Sequence, residues 1–391
     1  MPRNILYFQS GGPTSVINAS FLGLAEAYKK ANLSGHVYVS RYGVSGLLEG
    51  KLQEIDLDNL PDITFQPGSY FGSLRLRLDE DPNGPQAKTI INTLKQYNIG
   101  YVFPNGGNDS MDTAMKLCSY IKHAGLDIKV IGIPKTIDND LYGCDHTPGF
   151  GTAAKYVANV TIAVALDDLT YKQGRVNIIE TMGRDSGFLT ASSKLASLKG
   201  LGPDYIYVPE VPFDVHVFLE KAKKAYQEKG RCLIVVSEGI RDEDGNLIAA
   251  SSAYEDVFQH QQAGGVSSYL AALLEKEGIK SRAIELSVLN RASSFLPSLT
   301  DINEAKEVAA FALKEALRGI TASMVCIKRK ESKDYQVKYT TLPIEEIANK
   351  VVYLPHHYIN KEGDNITDEY IEYCAPLIKG NALPLDDSGL I

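Results

Sequence analysis

Residues 128–140 read IKVIGIPKTIDND, an apolar run followed directly by a polar loop. The run predicts a buried strand that ends at Pro134. The loop cannot extend that strand, because burying unpaired charge is costly. It fits the carboxyl end of a strand in an open α/β sheet, where such sheets bind ligands. The loop has the groups that phosphoryl transfer to an alcohol needs: Lys135 to bind phosphate, Asp138 to accept a proton and Thr136 to align the substrate. A solvated acidic turn explains this segment, taken alone, about as well.

The composition favours a large protein that binds small molecules. The 391 residues are 44% hydrophobic, enough for two domains with their own cores. The net charge of −8 argues against nucleic acid as a partner, because no basic surface neutralises a phosphate backbone. A small anion remains compatible with this charge, since a few clustered arginines invert the local field.

The cysteines and the first residues predict a cytoplasmic protein. The five cysteines are an odd number, widely spaced and without a CxxC pair, which suits a reducing compartment and excludes a zinc ribbon. The first residues, 1-MPRNILYF-8, contain too few apolar residues for a signal peptide, and no apolar run in the sequence reaches the length of a membrane span. We therefore expect no membrane partner.

Two segments have the order strand, glycine turn, helix, which is typical of phosphate binding. The first has a strand at 5–8, the turn 10-SGGPTS-15 and a helix at 16–30. The second has a strand at 100–103, the turn 104-PNGGNDS-110 and a helix at 111–123. Each also has a purely structural explanation: a tight turn that needs glycine, and a helix capped by Asn108, Asp109 or Ser110. A third glycine-rich loop, 67-PGSYFGS-73, precedes Arg75 and Arg77, which fit either a phosphate site or the solvated face of an edge strand.

Beyond these units, strands and helices continue to alternate. Further strands are predicted at 36–40, 128–133, 175–180, 205–208, 232–236, 282–286 and 322–327, and further helices at about 148–169, 188–197, 213–229, 262–276 and 301–318. This alternation predicts an α/β protein with two doubly wound, mostly parallel sheets. Polar residues at the strand ends predict an active-site cleft between the two domains; they are Glu180, Arg184, Glu210, Glu238 and Arg291.

With these elements in order, the chain resembles the phosphofructokinase family along nearly its whole length. The matching residues are Gly11-Gly12, Gly72-Ser73 with Arg75, Gly106 to Ser110, Pro134 to Asp140, Arg175, Met182-Gly183-Arg184, Glu238, Arg282 and Arg291. The resemblance implies phosphoryl transfer to the 1-hydroxyl of fructose 6-phosphate. It also implies a larger, donor-binding domain of residues 1–145 plus about 262–310. The smaller, sugar-binding domain would hold 146–261 plus about 311–391, with a C-terminal extension.

The resemblance also assigns roles to residues. Asp138 would be the base, and Lys135, Asp109 and Thr136 would complete the catalytic set. The sugar phosphate would contact Thr136, Asp138, Asp140, Met182, Gly183, Arg184 and Glu238, with Arg282 and Arg291 on its 6-phosphate. Arg175 would reach in from a neighbouring subunit, which implies a homodimer or homotetramer. The donor would contact Gly11, Gly12, Arg75, Gly107, Asn108, Asp109, Ser110 and Lys135.

Asp109 and Lys135 indicate inorganic pyrophosphate as the donor. In this family, members that use ATP carry glycine at the first position and an uncharged residue at the second. A carboxylate about 4 Å from an α-phosphate would cost about 4 kcal/mol at an effective dielectric near 20, roughly a thousandfold discrimination against ATP. Lys135 would supply positive charge to the transferring phosphoryl group. An ATP-dependent enzyme, with Asp109 turned away as a helix cap, and a non-catalytic sugar-phosphate-binding paralogue remain alternatives.

Two positions depart from the family pattern. Asn108 stands where most members have the aspartate linked to magnesium; its carbonyl oxygen is a neutral ligand, so we expect Mg²⁺ to bind more weakly or through water. Val288 stands where many members have a polar residue on the 6-phosphate. This departure widens the range of substrates, for example to sedoheptulose 7-phosphate.

Overall fold

The computed structural model of the protein describes residues 3–255 and 261–381. The strands are β1 Asn4–Gln9, β2 Val37–Val39, β3 Gln53–Glu54, β4 Ile99–Gly106, β5 Lys129–Pro134, β6 Val176–Thr181, β7 Tyr205–Tyr207, β8 Cys232–Ser237, β9 Ala250–Glu255, β10 Gln261–Ala263, β11 Ser281–Glu285, β12 Ser323–Arg329 and β13 Val337–Pro343. The α-helices are α1 Ile17–Lys30, α2 Ser45–Leu48, α3 Pro85–Gln96, α4 Asn108–His123, α5 Phe150–Leu169, α6 Phe188–Ala191, α7 Val215–Lys229, α8 Val266–Lys276, α9 Leu289–Ala292, α10 Leu299–Leu317 and α11 Glu369–Cys374. Short 3₁₀ helices span Ser192–Lys199, Ile344–Glu346, His356–Tyr358 and Ala375–Ile378.

Two separate sheets form the centres of two domains. The larger sheet has the order β13-β12-β5-β4-β1-β2-β3, and its five inner strands are parallel. Its edge strands β13 and β3 pair antiparallel. The smaller sheet has the order β11-β6-β8-β7 and is parallel throughout. The predicted α/β class with two mostly parallel sheets is confirmed.

Helices pack on both faces of the larger sheet because each presents an apolar stripe. On one face, Val308 and Leu313 of α10 pack with Phe21 of α1 over Ile131 and Ile133 of β5. On the other face, α3 and α4 contribute a second buried cluster against β4 and β5. Both faces of the strands are therefore buried, which explains why β5 reads as a continuous apolar run.

The predicted division of the chain between the domains needs two corrections. Residues 262–310 were assigned to the larger domain, but β11 pairs with β6 of the smaller sheet. Residues 311–391 were assigned to the smaller domain, but β12 pairs with β5 and β13 with β12 in the larger sheet. The reason is packing: α8 joins β8 to β11 within one sheet, as consecutive βαβ units do, and α10 then carries the chain back to α1 and β5. Residues 382–391 of the predicted smaller domain lie outside the described residues.

The C-terminal extension packs against helices of the smaller domain. Tyr370 and Leu377 share a buried cluster with Phe150 of α5 and Phe188 of α6. Helix α3 and strand β13 were not predicted. The alternative of an edge strand at Arg75 is not observed, because residues 55–98 contain no strand. None of the helices in the described ranges has the length and hydropathy needed to cross a bilayer.

Candidate active site

The two sheets bring their polar strand ends to one cleft. In the larger sheet β1 lies between β4 and β2, so the chain reverses its order there, where open α/β sheets bind ligands. The loops after β1, β4 and β5 meet those after β6 and β8 around a cavity of about 380 Å³. It is lined by Gly11, Gly12, Pro13, Arg75, Gly107, Asn108, Asp109, Ser110, Lys135, Thr136, Ile137, Asp138, Asp140, Met182, Arg184, Asp185, Ser186, Glu238, Arg291, Asn349 and Val351.

The loop after β5 is fixed by its own hydrogen bonds. The backbone N–H of Asp138 donates to Oγ1 of Thr136 at 3.1 Å. Asn139 is left-handed, with φ of 59°, and its Oδ1 accepts from the N–H of Thr147 at 2.9 Å. The carboxylate oxygen Oδ1 of Asp138 is buried without a hydrogen-bond partner. A buried polar atom without a partner is rare in folded proteins, so this oxygen is placed to accept a proton from a ligand.

Lys135 is a buried ammonium at the centre of the cleft. Its side chain is 3% exposed, and Nζ donates to the carbonyl oxygen of Gly12. Burial, and then the positive charge of Arg75, lower the pKa of Lys135 to about 8. Gly11, beside it, has φ of 76°, a backbone conformation that favours glycine. An anion bound here would stabilise the protonated form of Lys135.

Three carboxyl groups of the cleft have pKa values raised towards their neutral forms. Burial, and then the charge of Asp140, raise the pKa of Asp138 to about 7 and outweigh the lowering effect of Arg184. Burial, and then Asp138, raise the pKa of Glu238 to about 8. Burial also raises the pKa of Asp140. The three groups therefore hold fewer negative charges at neutral pH than their number implies.

The turn after β4 leads into α4, whose N-terminus faces the cleft. Nδ2 of Asn108 donates to Oδ2 of Asp140 at 3.1 Å, which leaves Oδ1 of Asn108 buried without a partner. The hydroxyl of Ser110 is also buried without a partner. Free backbone N–H groups and the helix dipole make such a terminus a site for anions. This end of the cleft is suited to phosphate oxygens.

Two predicted substrate residues do not reach this cleft. Arg282 lies in β11 opposite Asn177, and its side chain is exposed and pairs with Asp167 at 3.4 Å. Arg175 immediately precedes β6. Both therefore lie at the amino ends of their strands, while the cleft lies at the carboxyl ends. The expectation that Arg282 joins Arg291 within one chain is corrected, since only Arg291 lines the cleft. Gly183 is adjacent to the lining residues, and its N–H donates to Oε1 of Glu238 at 3.3 Å.

Sequence reasoning missed several lining residues. Asp185 and Ser186 directly follow the predicted Arg184, so extending that strand end would have found them. Asn349 and Val351 had no such signal, because they follow no predicted strand. They reach the cleft because Val351 forms an antiparallel bridge with Leu141, next to the loop of residues 135–140. Val288, expected near the 6-phosphate, is 53% exposed and does not line the cavity.

Fold and cleft together define a phosphotransferase of the α/β class, because the strand ends combine cations for phosphate with a carboxylate for a proton. The sequence profile of the family described as Phosphofructokinase matches residues 4–316. The chain therefore belongs to the phosphofructokinase family, as its motifs predicted. Members of this family generally use a divalent metal.

Similar proteins cover almost the whole chain. A pyrophosphate--fructose 6-phosphate 1-phosphotransferase of Xanthomonas campestris is 37% identical over 390 residues, covering 97% of this chain and 92% of the relative. The crystal structure of a pyrophosphate-dependent phosphofructokinase from Nitrosospira multiformis matches with a TM-score of 0.88 and 34% identity, covering 100% of this chain and 95% of that one. A sulfofructose kinase of Alkalicoccus urumqiensis is 32% identical over 346 residues, covering 87% of each chain.

Proposed function

We propose that this protein transfers a phosphoryl group from inorganic pyrophosphate to the 1-hydroxyl of fructose 6-phosphate. The products are fructose 1,6-bisphosphate and phosphate. The reaction is reversible and serves glycolysis or gluconeogenesis. One observation carries the proposal: the buried ammonium of Lys135 and the partnerless Oδ1 of Asp138 line the same cleft. The names of the full-length relatives agree with it.

Asp138 acts as the general base. Its pKa of about 7 suits this role, because a base is most effective when its pKa lies near the working pH. It takes the proton of the 1-hydroxyl as that oxygen attacks the phosphorus, and the bond to the leaving phosphate breaks. Thr136 and Asp140 orient the sugar around this step. The turn at Asn139 holds both aspartates in the same loop.

Lys135 binds the oxygens of the transferring phosphoryl group and stabilises the charge on it. Asp109 limits the donor to pyrophosphate by repelling the α-phosphate of a nucleotide. Around them, further donor contacts come from the glycine turns, the α4 N-terminus and Arg75: Gly11, Gly12, Gly107, Asn108 and Ser110. This assignment is supported by the position of all these residues on the lining of one cavity.

The sugar phosphate lies on the other side of the cleft, against Met182, Gly183, Arg184 and Glu238, with Arg291 on its 6-phosphate. Arg175 and Arg282 complete the 6-phosphate site from a neighbouring copy of the chain, in a homodimer or homotetramer. Support comes from the exposed surface around these two arginines. Leu166, Leu169 and Tyr171 there are each about half exposed, and apolar side chains grouped in this way mark interfaces.

Mg²⁺ is the metal that we propose for the donor site. The described residues hold no group of three or more His, Cys, Asp or Glu side chains that would bind a metal by themselves. This fits Mg²⁺, which is commonly held by one or two protein oxygens together with substrate phosphates and water. Oδ1 of Asn108, buried and partnerless, and the carboxylate of Asp140 are the protein oxygens that fit. When bound, the ion neutralises charge on the phosphates.

A donor panel tests the assignment. Purified protein with fructose 6-phosphate and Mg²⁺ is expected to turn over with pyrophosphate and not with ATP, and chelation of the metal is expected to stop the reaction. Turnover with ATP alone would refute the donor assignment. Binding of the sugar phosphate without turnover on any donor would instead favour a regulatory protein. Asp138→Asn is the matched control, since it should bind the sugar phosphate and lack turnover.

A second candidate substrate is a sugar that differs from fructose 6-phosphate at the end that carries the 6-phosphate. The similarity to a sulfofructose kinase favours it. Comparing kcat/KM for fructose 6-phosphate, sedoheptulose 7-phosphate and sulfofructose under the same donor decides between them. A value for fructose 6-phosphate lower than for either competitor would replace the acceptor while leaving the donor assignment intact.

A further inference from the structure

Behind the loop of residues 135–140 lies a largely buried cluster of four charged side chains that the proposed reaction does not use. Nδ1 of His146 is 2.7 Å from Oδ1 of Asp145, and Nε2 is 2.6 Å from Oε2 of Glu304. Arg329, at the end of β12, reaches the same Asp145 oxygen at 3.1 Å. The hydroxyl of Tyr335 donates to Oε1 of Glu304 at 2.5 Å. The cluster thus ties α10, β12 and the segment before α5 together.

The cluster is charged and balanced. Burial lowers the pKa of His146, but the charges and hydrogen bonds of Glu304 and Asp145 outweigh this and raise it to about 9. The imidazole is therefore protonated at neutral pH, and two cations face two carboxylates. Buried groups that are fully paired in this way hold a fixed arrangement, because any displacement leaves a buried charge unpaired.

Tyr373 of α11 connects this cluster to the loop of residues 135–140. Its carbonyl oxygen accepts from Nη1 of Arg329 at 3.0 Å, and its ring lies 4.8 Å from the guanidinium. Its hydroxyl donates to the carbonyl oxygen of Asp145 at 2.7 Å and accepts from Nδ2 of Asn139 at 2.8 Å. One hydroxyl thus joins the cluster to the residue between Asp138 and Asp140.

The bond to Asn139 matters because of that residue's backbone. Its φ of 59° is uncommon for a residue with a side chain, so the surrounding contacts must hold it. Oδ1 is held by the N–H of Thr147 and Nδ2 by Tyr373. A change in this turn would rotate the neighbouring Asp138 and Asp140 together.

We propose that Tyr373 is a positioning residue for the reaction: its hydroxyl anchors the left-handed Asn139 to the Asp145–His146–Glu304–Arg329 cluster and thereby aims Asp138 at the substrate hydroxyl. The inference rests on the proposed phosphoryl transfer. It gives the C-terminal extension a part in catalysis although Tyr373 does not line the cleft.

The test compares Tyr373→Phe with Tyr370→Phe. Both variants remove one hydroxyl from α11 and keep the ring, but the hydroxyl of Tyr370 donates to the carbonyl of Phe188, away from the loop. We expect Tyr373→Phe to lower kcat about 10- to 100-fold, a range that a small misplacement of a catalytic group produces, with KM for both substrates within about twofold. Tyr370→Phe should keep kcat within about threefold at a similar loss of thermal stability.

A double-mutant cycle locates the effect. Asn139→Gly keeps the left-handed backbone accessible and removes the side chain that Tyr373 binds. If the hydroxyl acts through Asn139, the double variant should be no slower than the slower single variant. Equal losses of kcat in the two tyrosine variants, or fully additive losses in the cycle, would overturn the proposal. Absence of turnover in the unmodified protein would refute the proposed function instead, so the two failures are distinguishable.

Discussion

Pyrophosphate binding is expected to draw a proton onto Lys135 above pH 8. In the empty cleft the pKa of Lys135 is about 8, chiefly because of burial. A bound phosphate anion favours the charged ammonium, so binding raises this pKa towards its ordinary value. A full return from about 8 to 10.5 corresponds to about 3.4 kcal/mol, or about a 300-fold change in Kd. The affinity for pyrophosphate should therefore be greatest below pH 8, where Lys135 is already protonated, and fall up to tenfold per pH unit above pH 8.

Calorimetry at several pH values, each in two buffers of different ionisation enthalpy, measures this proton uptake. With the pKa values above, uptake by Lys135 should be about 0.1 proton at pH 7 and about 0.9 at pH 9. Lys135→Met is the matched control, because it keeps an unbranched side chain of similar length without a charge. The difference between the two proteins removes the contribution of the ligand's own ionisation. If both take up the same number of protons from pH 7 to 9.5, the buried ammonium does not bind the donor and the reasoning is wrong.

Three further predictions concern the proposed base, the donor pocket and the 6-phosphate site. Asp138→Asn should lower kcat by about 10²- to 10⁴-fold. Because burial raises the pKa of Asp138 to about 7, the ionised carboxylate destabilises the empty protein. The variant should therefore raise the free energy of unfolding, measured with guanidinium, by about 1–4 kcal/mol at pH 8 and by less at pH 5. Asp109→Gly with Lys135→Gly should raise turnover with ATP, measured against the unmodified protein, and no rise at all would contradict the charge argument. Arg282→Ala should raise KM for fructose 6-phosphate at least about tenfold with little change in unfolding, because the side chain is exposed in one chain; an unchanged KM would remove it from the site.

The sequence predicted the local parts of the cleft well. The loop 135–140 and the turn at Gly107 follow apolar runs, and an apolar run that stops at polar residues marks the end of a buried strand. The positions of Asp138, Lys135 and Asn108 on one cavity follow from the rule that parallel strands share a carboxyl edge.

What the sequence could not predict depends on contacts between distant segments. Nothing in β11 or β12 says which sheet each joins, because both are short runs with the same kind of pattern. The position of Arg282 outside the cleft of its own chain has the same origin, since a motif gives the residue but not the end of the strand on which it lies. Tyr373 reaches Asn139 across 234 positions of sequence, and no local pattern indicates that contact.

Burial between the two sheets is the largest cause of the acid–base properties of the cleft. It raises the pKa of Asp138 to about 7 and lowers that of Lys135 to about 8, although free aspartate and lysine differ by more than six pH units. Between pH 7 and pH 8, Asp138 is largely ionised and able to take a proton, while Lys135 is still largely charged and able to hold phosphate. The charge of Asp140 adds to the rise at Asp138 and that of Arg75 to the fall at Lys135, whereas the attraction between Lys135 and Asp138 opposes both shifts. A cleft opened to water would therefore lose much of this match even with every residue in place, because desolvation is its largest cause.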